Sequence, residues 1–190
     1  MSSFGAISRA FDLGQAPGSA ELLELRQFVT TRLMSDGMES FVVRPLDRSQ
    51  LHAAYPLIRQ AAPTVDLNDW RRFARRAADP RSASRHGVIV AHRANNPHPS
   101  GLFCYVREQD LRHGSILTAN YFVVLDMFDP GAVFEALIDA LESLGRQLNC
   151  ALVRCAPTGI AADGANCFLA AGHRLEGAVY FKPIESLMTN

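Results

Sequence analysis

The run Tyr121-Phe122-Val123-Val124-Leu125, preceded by Ile116-Leu117-Thr118-Ala119-Asn120 and followed shortly by a helix-forming sequence, constrains this chain more than any other stretch. Continuous β-branched, aromatic and aliphatic residues of this length describe a strand covered on both faces. From Pro130 the apolar period becomes helical, and Phe134, Leu137, Ile138, Leu141, Leu144 and Leu148 fall on one stripe. Glu135, Asp139, Glu142, Ser143 and Arg146 fall elsewhere on the wheel, with Glu142 four residues ahead of Arg146 in the favourable order. Asp129 is a good N-cap and Pro130 a good first helical residue. A buried strand running into an exposed helix N-terminus is where α/β folds place ligands, so the turn at Asp126-Met127-Phe128-Asp129 is the expected site.

At 190 residues the chain can bury one sizeable core. Nineteen basic residues balance nineteen acidic ones, so the whole molecule is not steered toward nucleic acid or an anionic membrane. No apolar run reaches the ~20 residues of a membrane span, and Met1-Ser2-Ser3-Phe4-Gly5 lacks the blocks of a signal peptide. A soluble cytoplasmic protein is the expectation. Cys104, Cys150, Cys155 and Cys167 form no CxxC and no Cys/His zinc spacing. They read as buried reduced thiols, with a catalytic cysteine as the weaker alternative, and no metal is expected.

Residues 1–38 read as an N-terminal extension. Ser19 caps a helix with Leu22, Leu25, Val29 and Leu33 on one stripe, which either packs on the domain or serves a partner. A domain over 39–190 then opens with strand Phe41-Val42-Val43-Arg44-Pro45 and a helix from Ser49 to Ala61 carrying Leu51, Ala54, Tyr55 and Ile58 inward. A second helix, capped by Asp66 or Asn68, turns Trp70, Phe73, Ala74 and Ala77 inward and Arg71, Arg72, Arg75 and Arg76 outward. With Arg81 and Arg85 this is the one basic patch. It is either a solvated face or a dock for an acidic partner, and its lack of interleaved aromatics argues against nucleic acid. Strands at Gly87–His92 and Leu102–Val106 lead to the central strand as an antiparallel meander. Cys150–Cys155 is reached through a helix and so runs parallel to the strand before it. Gly159–Gly164 reads as loop, Ala165–Ala171 as a short helix stopped by Gly172, and Ala178–Pro183 as a final strand.

This order of elements, with the Tyr180-Phe181-Lys182-Pro183 ending, resembles the GNAT acyltransferase superfamily, the acetyl-CoA-dependent N-acetyltransferases, over roughly Glu39 to Ile184. The resemblance implies an α/β (α+β) fold: a mixed, mostly antiparallel twisted sheet with helices on both faces and a central strand-loop-helix at 116–149. It also implies that the strand at Val123, Val124 and Leu125 holds the pantetheine arm of acetyl-CoA or another pantetheine thioester through its backbone. The following loop, Gln/Arg-x-x-Gly-x-Gly/Ala in the family, would cradle pyrophosphate. Here Phe128-Asp129-Pro130-Gly131-Ala132-Val133 keeps only Gly131 of that pattern. Pro130 deletes an N–H donor, and Asp129 as N-cap occupies others. Asp126 and Asp129 would also repel phosphate, by about 4 kcal/mol for unit charges roughly 4 Å apart at an effective dielectric near 20.

The family's base is often a carboxylate on the central strand or a neighbour. Between Ile116 and Leu125 none exists, and Tyr121 is the only ionisable group there, a weak candidate where no catalytic residue is otherwise assigned. The family's acid, a tyrosine four residues before the closing glycine, falls on Phe168. Asn166 matches an asparagine that contacts the cofactor, or caps the helix, and His173 follows Gly172 where phenylalanine is usual. The resemblance thus implies an N-acyltransferase acting on a small-molecule amine or a protein, with acceptor loops at Ala62–Asn68 and Gln109–Gly114. An acyl-carrier thioester as donor would suit the arginine patch, and a donor on aminoacyl-tRNA finds support only in that patch. The degenerate loop and Phe168 favour the alternative, a GNAT-fold binding or regulatory module that does not use CoA.

Overall fold

The computed structural model describes residues 30–32, 41–94, 96–156 and 162–176. In chain order these form strands β1 (Thr30–Arg32) and β2 (Phe41–Pro45), helices α1 (Leu51–Ala61) and α2 (Leu67–Ala77), and strands β3 (His86–Arg93), β4 (Gly101–Asp110) and β5 (Gly114–Val124). Helix α3 (Pro130–Gln147), strand β6 (Leu152–Ala156) and helix α4 (Ala162–Ala170) follow. The six strands lie side by side in chain order in one sheet. Every neighbouring pair is antiparallel except β5 with β6, which are parallel because α3 carries the chain back before β6 begins.

Side-chain alternation along the strands divides the interior in two. Ile89, Ala91, Phe103, Leu117, Ala119 and Phe122 pack under α3, against Val133, Leu137, Leu141 and Leu144. Val88, Val90, Leu102, Cys104 and Val123 face the other way and are covered by α1 and α2 through Leu57, Ile58, Trp70 and Ala74. The α3 stripe is the one the sequence predicts: Leu137, Ile138, Leu141 and Leu144 are each no more than 2% exposed. Full burial of each such side chain contributes roughly 1.5–3 kcal/mol. Both expected helix starts are capped as read, Asp66 accepting from the Asp69 N–H at 2.7 Å and Asp129 from the Ala132 N–H at 3.0 Å. Gly101 lets α3 approach the sheet, since a Cβ there would lie 2.9 Å from both Leu137 Cδ1 and Val133 Cγ1.

Several expectations are corrected. Thr30–Arg32 is a strand paired with Phe41–Val43, not the end of a helix running to Leu33, so the sheet reaches into the stretch read as an extension. The β-branched pair Thr30-Thr31 suits a strand, and pairing with β2 overrides the helical spacing of the neighbouring leucines. The remainder of that expected helix, and the expected strand at 178–183, lie outside the described residues. Phe73 is 41% exposed rather than inward, although its ring stacks on Trp70 at 6.0 Å. β4 runs on to Asp110, so Gln109 and Asp110 belong to the strand; the hairpin closes over three residues, with Gly114 at a φ of 75°. β6 starts at Leu152 rather than Cys150, and α4 at Ala162 rather than Ala165.

Candidate functional site

Strand β5 changes character half-way along. From Ile116 to Asn120 it is paired on both sides, with β4 and with Leu152–Ala156 of β6. After Asn120 the β4 register shifts: Cys104 faces Asn120 but Leu102 faces Val123, so Tyr121 and Phe122 together oppose Phe103. Tyr121 takes a φ of 51°. Two residues against one, the first left-handed, is a β-bulge, and a left-handed non-glycine residue carries roughly 1–2 kcal/mol of strain. Among the described residues nothing pairs with β5 on the β6 side beyond this point.

The alternation of an antiparallel ladder then settles which backbone groups face away from β4. The Leu125 N–H donates to the Ser100 carbonyl at 2.8 Å, which makes Gly101 and Val124 a non-hydrogen-bonded pair. The N–H and C=O of Val124 therefore point away from β4, toward the unpaired side. Of Val123, Val124 and Leu125, which the sequence reading takes together, Val124 alone turns its backbone away from β4. Val123 is 6% exposed and packs under α1 and α2, and Leu125 is 54% exposed.

The next turn is closed. Asp126 forms a two-pronged pair with Arg93, Nε to Oδ2 at 3.1 Å and Nη2 to Oδ1 at 2.7 Å, with side chains only 5% and 14% exposed. Its Oδ1 also accepts from the N–H groups of Phe128 and Asp129, each at 2.9 Å. Arg93 is held between the rings of Phe41 and Phe128, 5.2 and 5.4 Å from their centroids. Burial pushes the Asp126 acid up, but hydrogen bonds from Arg93, from the two N–H groups and from Ser100 outweigh it and hold the carboxyl well below the usual range. The sequence reading of Asp126 as an unpaired charge repelling phosphate is therefore corrected: Arg93 neutralises it. An anion is instead met by a helix start at which most of the donors are engaged and the Gly131 N–H has no acceptor among the described residues. The N–H groups of Phe128 and Asp129 are taken by Asp126, that of Ala132 by Asp129, and Pro130 has none. Gly131 sits in the first turn of α3 with only Asp129 Oδ1 near a Cβ position, at 3.6 Å.

On the sheet face shared with α1 lies a polar cluster that sequence reasoning missed. Thr118, buried in the centre of β5, donates its hydroxyl to Glu108 Oε2 of β4 at 2.9 Å. Arg154 of β6 pairs in register with Thr118 and donates to Asp110 at 3.2 Å. Glu108 is a carboxylate on the strand beside the central one, and the three-residue hairpin ending in Gly114 is the signal that would have put it opposite Ile116. Tyr121, 37% exposed, stands at the bulge, three residues and about 10 Å along the strand from Thr118.

Asn166 is exposed on α4. Phe168 is a core residue, 7% exposed, and meets Phe122 edge to face at 5.0 Å, so no acid stands there. His173 packs its ring against Phe168 at 5.4 Å, with both ring nitrogens buried and without a hydrogen bond among the described residues. Burial pushes the Cys104 thiol to about 12, and burial with the nearby Glu142 charge does the same for Cys155, so neither is a ready nucleophile. Of the arginine patch, Arg72 is paired with Asp69, and Arg76 donates to the Arg72 carbonyl at 3.3 Å. Arg71, Arg75, Arg81 and Arg85 have no carboxylate partner among the described residues. A cleft of about 320 Å³ lined by Arg44, Asp47, Asp79, Gly87 and Tyr105 lies toward the other end of β3, away from Val124. No group of side chains suited to a metal occurs among the described residues, and no helix there is long and apolar enough to cross a membrane.

A mostly antiparallel sheet with helices on both faces, whose β6 is reached through α3 and pairs in parallel with β5, is an α/β architecture. The fold is that of the GNAT acetyltransferases. Among solved structures, the aminoglycoside N-acetyltransferase AAC(6')-Iy in complex with CoA matches with a TM-score of 0.64 at 15% identity, over 81% of this chain and 100% of that one. Ribosomal-protein-alanine N-acetyltransferase from Brucella melitensis biovar Abortus 2308 matches at 0.59 and 16% identity, over 76% and 99%. Glucosamine-6-phosphate N-acetyltransferase from Arabidopsis thaliana matches at 0.55 and 16% identity, over 77% and 100%. No family model and no curated protein matches the sequence.

Proposed function

We propose that the protein is an N-acyltransferase that moves an acyl group from a pantetheine thioester to an amine. One observation carries this reading: the bulge at Tyr121 turns the Val124 N–H and C=O away from β4, to a side where no described residue pairs with them. A pantetheine amide offers the complementary donor and acceptor, so the arm would add to the sheet edge as a short strand does. CoA, the donor implied by the fold, is matched in part. Its pantetheine arm suits the Val124 edge, whereas its pyrophosphate finds the Phe128, Asp129 and Ala132 N–H groups at the α3 start already engaged, so no role is assigned to that turn in catalysis.

In this reading the arm runs from the turn toward the bulge and brings the thioester carbonyl near Tyr121. The amine approaches from the α1 side, its nitrogen bonds to the carbonyl carbon, and the carbon–sulfur bond breaks to release a thiolate. Glu108, held by the Thr118 hydroxyl about 10 Å along β5 from the bulge, would take the ammonium proton through a chain of waters. With Phe168 in place of an acid, the thiolate takes its proton from solvent, and holding amine and thioester together supplies most of the rate.

The test is thiol release from S-acetylpantetheine in the presence of a panel of primary amines. Glu108→Gln is expected to lower kcat/KM by about 100-fold or more. A binding module that takes no thioester is the competing reading, favoured by the closed turn at Asp126. Absence of both amine-dependent thiol release and S-acetylpantetheine binding would decide for it.

A further inference from the structure

Resting on the acyltransferase reading, we infer that the acyl donor is a thioester borne on the phosphopantetheine arm of a carrier protein rather than on a free nucleotide. Two neighbouring features make opposite demands on one ligand. The Val124 edge suits a pantetheine amide, yet four to eight residues of chain further on most of the donors that would hold a diphosphate are taken. Asp126 Oδ1 receives the Phe128 and Asp129 N–H groups, Asp129 Oδ1 receives that of Ala132, and Pro130 offers none. Arg93, the nearest cation to this turn, is engaged with Asp126 on both prongs. A diphosphate would thus lose its hydration and recover, from the first turn of α3, the Gly131 N–H alone, beside the Asp129 carboxylate.

A protein-borne arm escapes that difficulty. It brings one phosphodiester charge instead of a diphosphate, and its anchorage comes from the protein at its base rather than from a helix N-terminus. The surroundings of the turn fit such an anchorage. Leu125, Met127 and Phe128 are 54%, 94% and 87% exposed, a group of large apolar side chains continuous with the strand edge where the arm would enter. Phe128 is held in place by its contact with the Arg93 guanidinium, so it presents a preorganised ring. A nucleotide has no use for exposed Met127 and Leu125; a carrier with an apolar surface beside its modified serine does.

Three probes separate the cases by calorimetry on the full chain: S-acetylpantetheine, acetyl-CoA, and an acetyl-loaded phosphopantetheinyl carrier protein. The inference expects acetyl-CoA to bind within about threefold of S-acetylpantetheine and the loaded carrier to bind at least about tenfold tighter than either, since tethering adds contacts that the small donors lack. Met127→Glu, at a fully solvated position, is expected to erase the carrier's advantage. Acetyl-CoA binding more than about tenfold tighter than S-acetylpantetheine would overturn the carrier inference and leave the acyltransferase reading intact, because the nucleotide would then have a site. A carrier no tighter than S-acetylpantetheine would overturn it as well. Binding of none of the three would instead bring down the acyltransferase reading itself.

Discussion

The strand edge at Val124 and the turn at Asp126 are two residues apart, yet one is open and the other closed. The edge is open for reasons of backbone geometry: past the bulge at Tyr121 the Val124 peptide groups turn away from β4 and have no partner among the described residues. The turn is closed for reasons of side-chain chemistry, because a carboxylate from within the turn, held by an arginine of β3 that donates to it, accepts from the N–H groups of Phe128 and Asp129. The difference teaches that a fold's ligand-binding capacity is not one property. The backbone part survives almost any sequence that folds, whereas the helix-start part can be removed by one well-placed aspartate.

Breaking the closed half should have the largest effect. Asp126→Ala would leave Arg93 buried without its partner, along with two unpaired N–H groups, and should lose about 3–5 kcal/mol in urea denaturation. The pH dependence carries the same signature. Because the folded pKa of Asp126 is depressed, its contribution is complete above the ordinary aspartate range near pH 4 and is lost as pH falls through the lower folded value. The stability difference between the parent and Asp126→Asn should therefore stay flat from neutral down to about pH 5 and shrink only in stronger acid.

The next effect tests how closely α3 is seated behind the site. Gly101→Ala would set a methyl against Leu137, Val133 and the Val123 carbonyl, the last 3.0 Å away, and should destabilise by about 1–3 kcal/mol. A smaller effect probes the open half. Asparagine tolerates a left-handed backbone and valine does not, so Tyr121→Val should be less stable than Tyr121→Asn by about 1 kcal/mol in thermal unfolding. Equal stabilities would mean that the bulge is not held in place. The smallest effect is at the cap: Asp129→Gly should cost only a few tenths of a kcal/mol, since glycine is itself a good N-cap. It should free the Ala132 N–H and raise affinity for inorganic diphosphate, measurable by calorimetry, while the Asp126 contacts persist.

Much of the frame was legible. The β3-β4-β5 meander, the parallel return to β6, the α3 stripe and the aspartate caps follow from local periods and end signals that the tertiary structure leaves undisturbed. What was hidden depended on register. Arg93 and Asp126 are 33 residues apart in sequence, and nothing local says that the end of β3 lies over the turn after β5. Glu108 became a candidate only once the hairpin at Asp110–Gly114 set it two residues out of step with Thr118, next to Thr118's own side of the sheet. The Asp126 charge was misjudged for the same reason, since its neutralising partner comes from another strand. Thr30–Arg32 was misread because a short edge strand is stabilised by β2, not by its own spacing.

The most direct measurement is amide hydrogen exchange by NMR at Val124, with and without saturating S-acetylpantetheine. An open edge predicts that the Val124 N–H exchanges much faster than that of Thr118, which lies in the doubly paired half of β5. Added S-acetylpantetheine should slow exchange at Val124 by at least about tenfold and leave Thr118 unchanged. A Val124 amide already as protected as Thr118, or one that S-acetylpantetheine does not affect, would contradict the account.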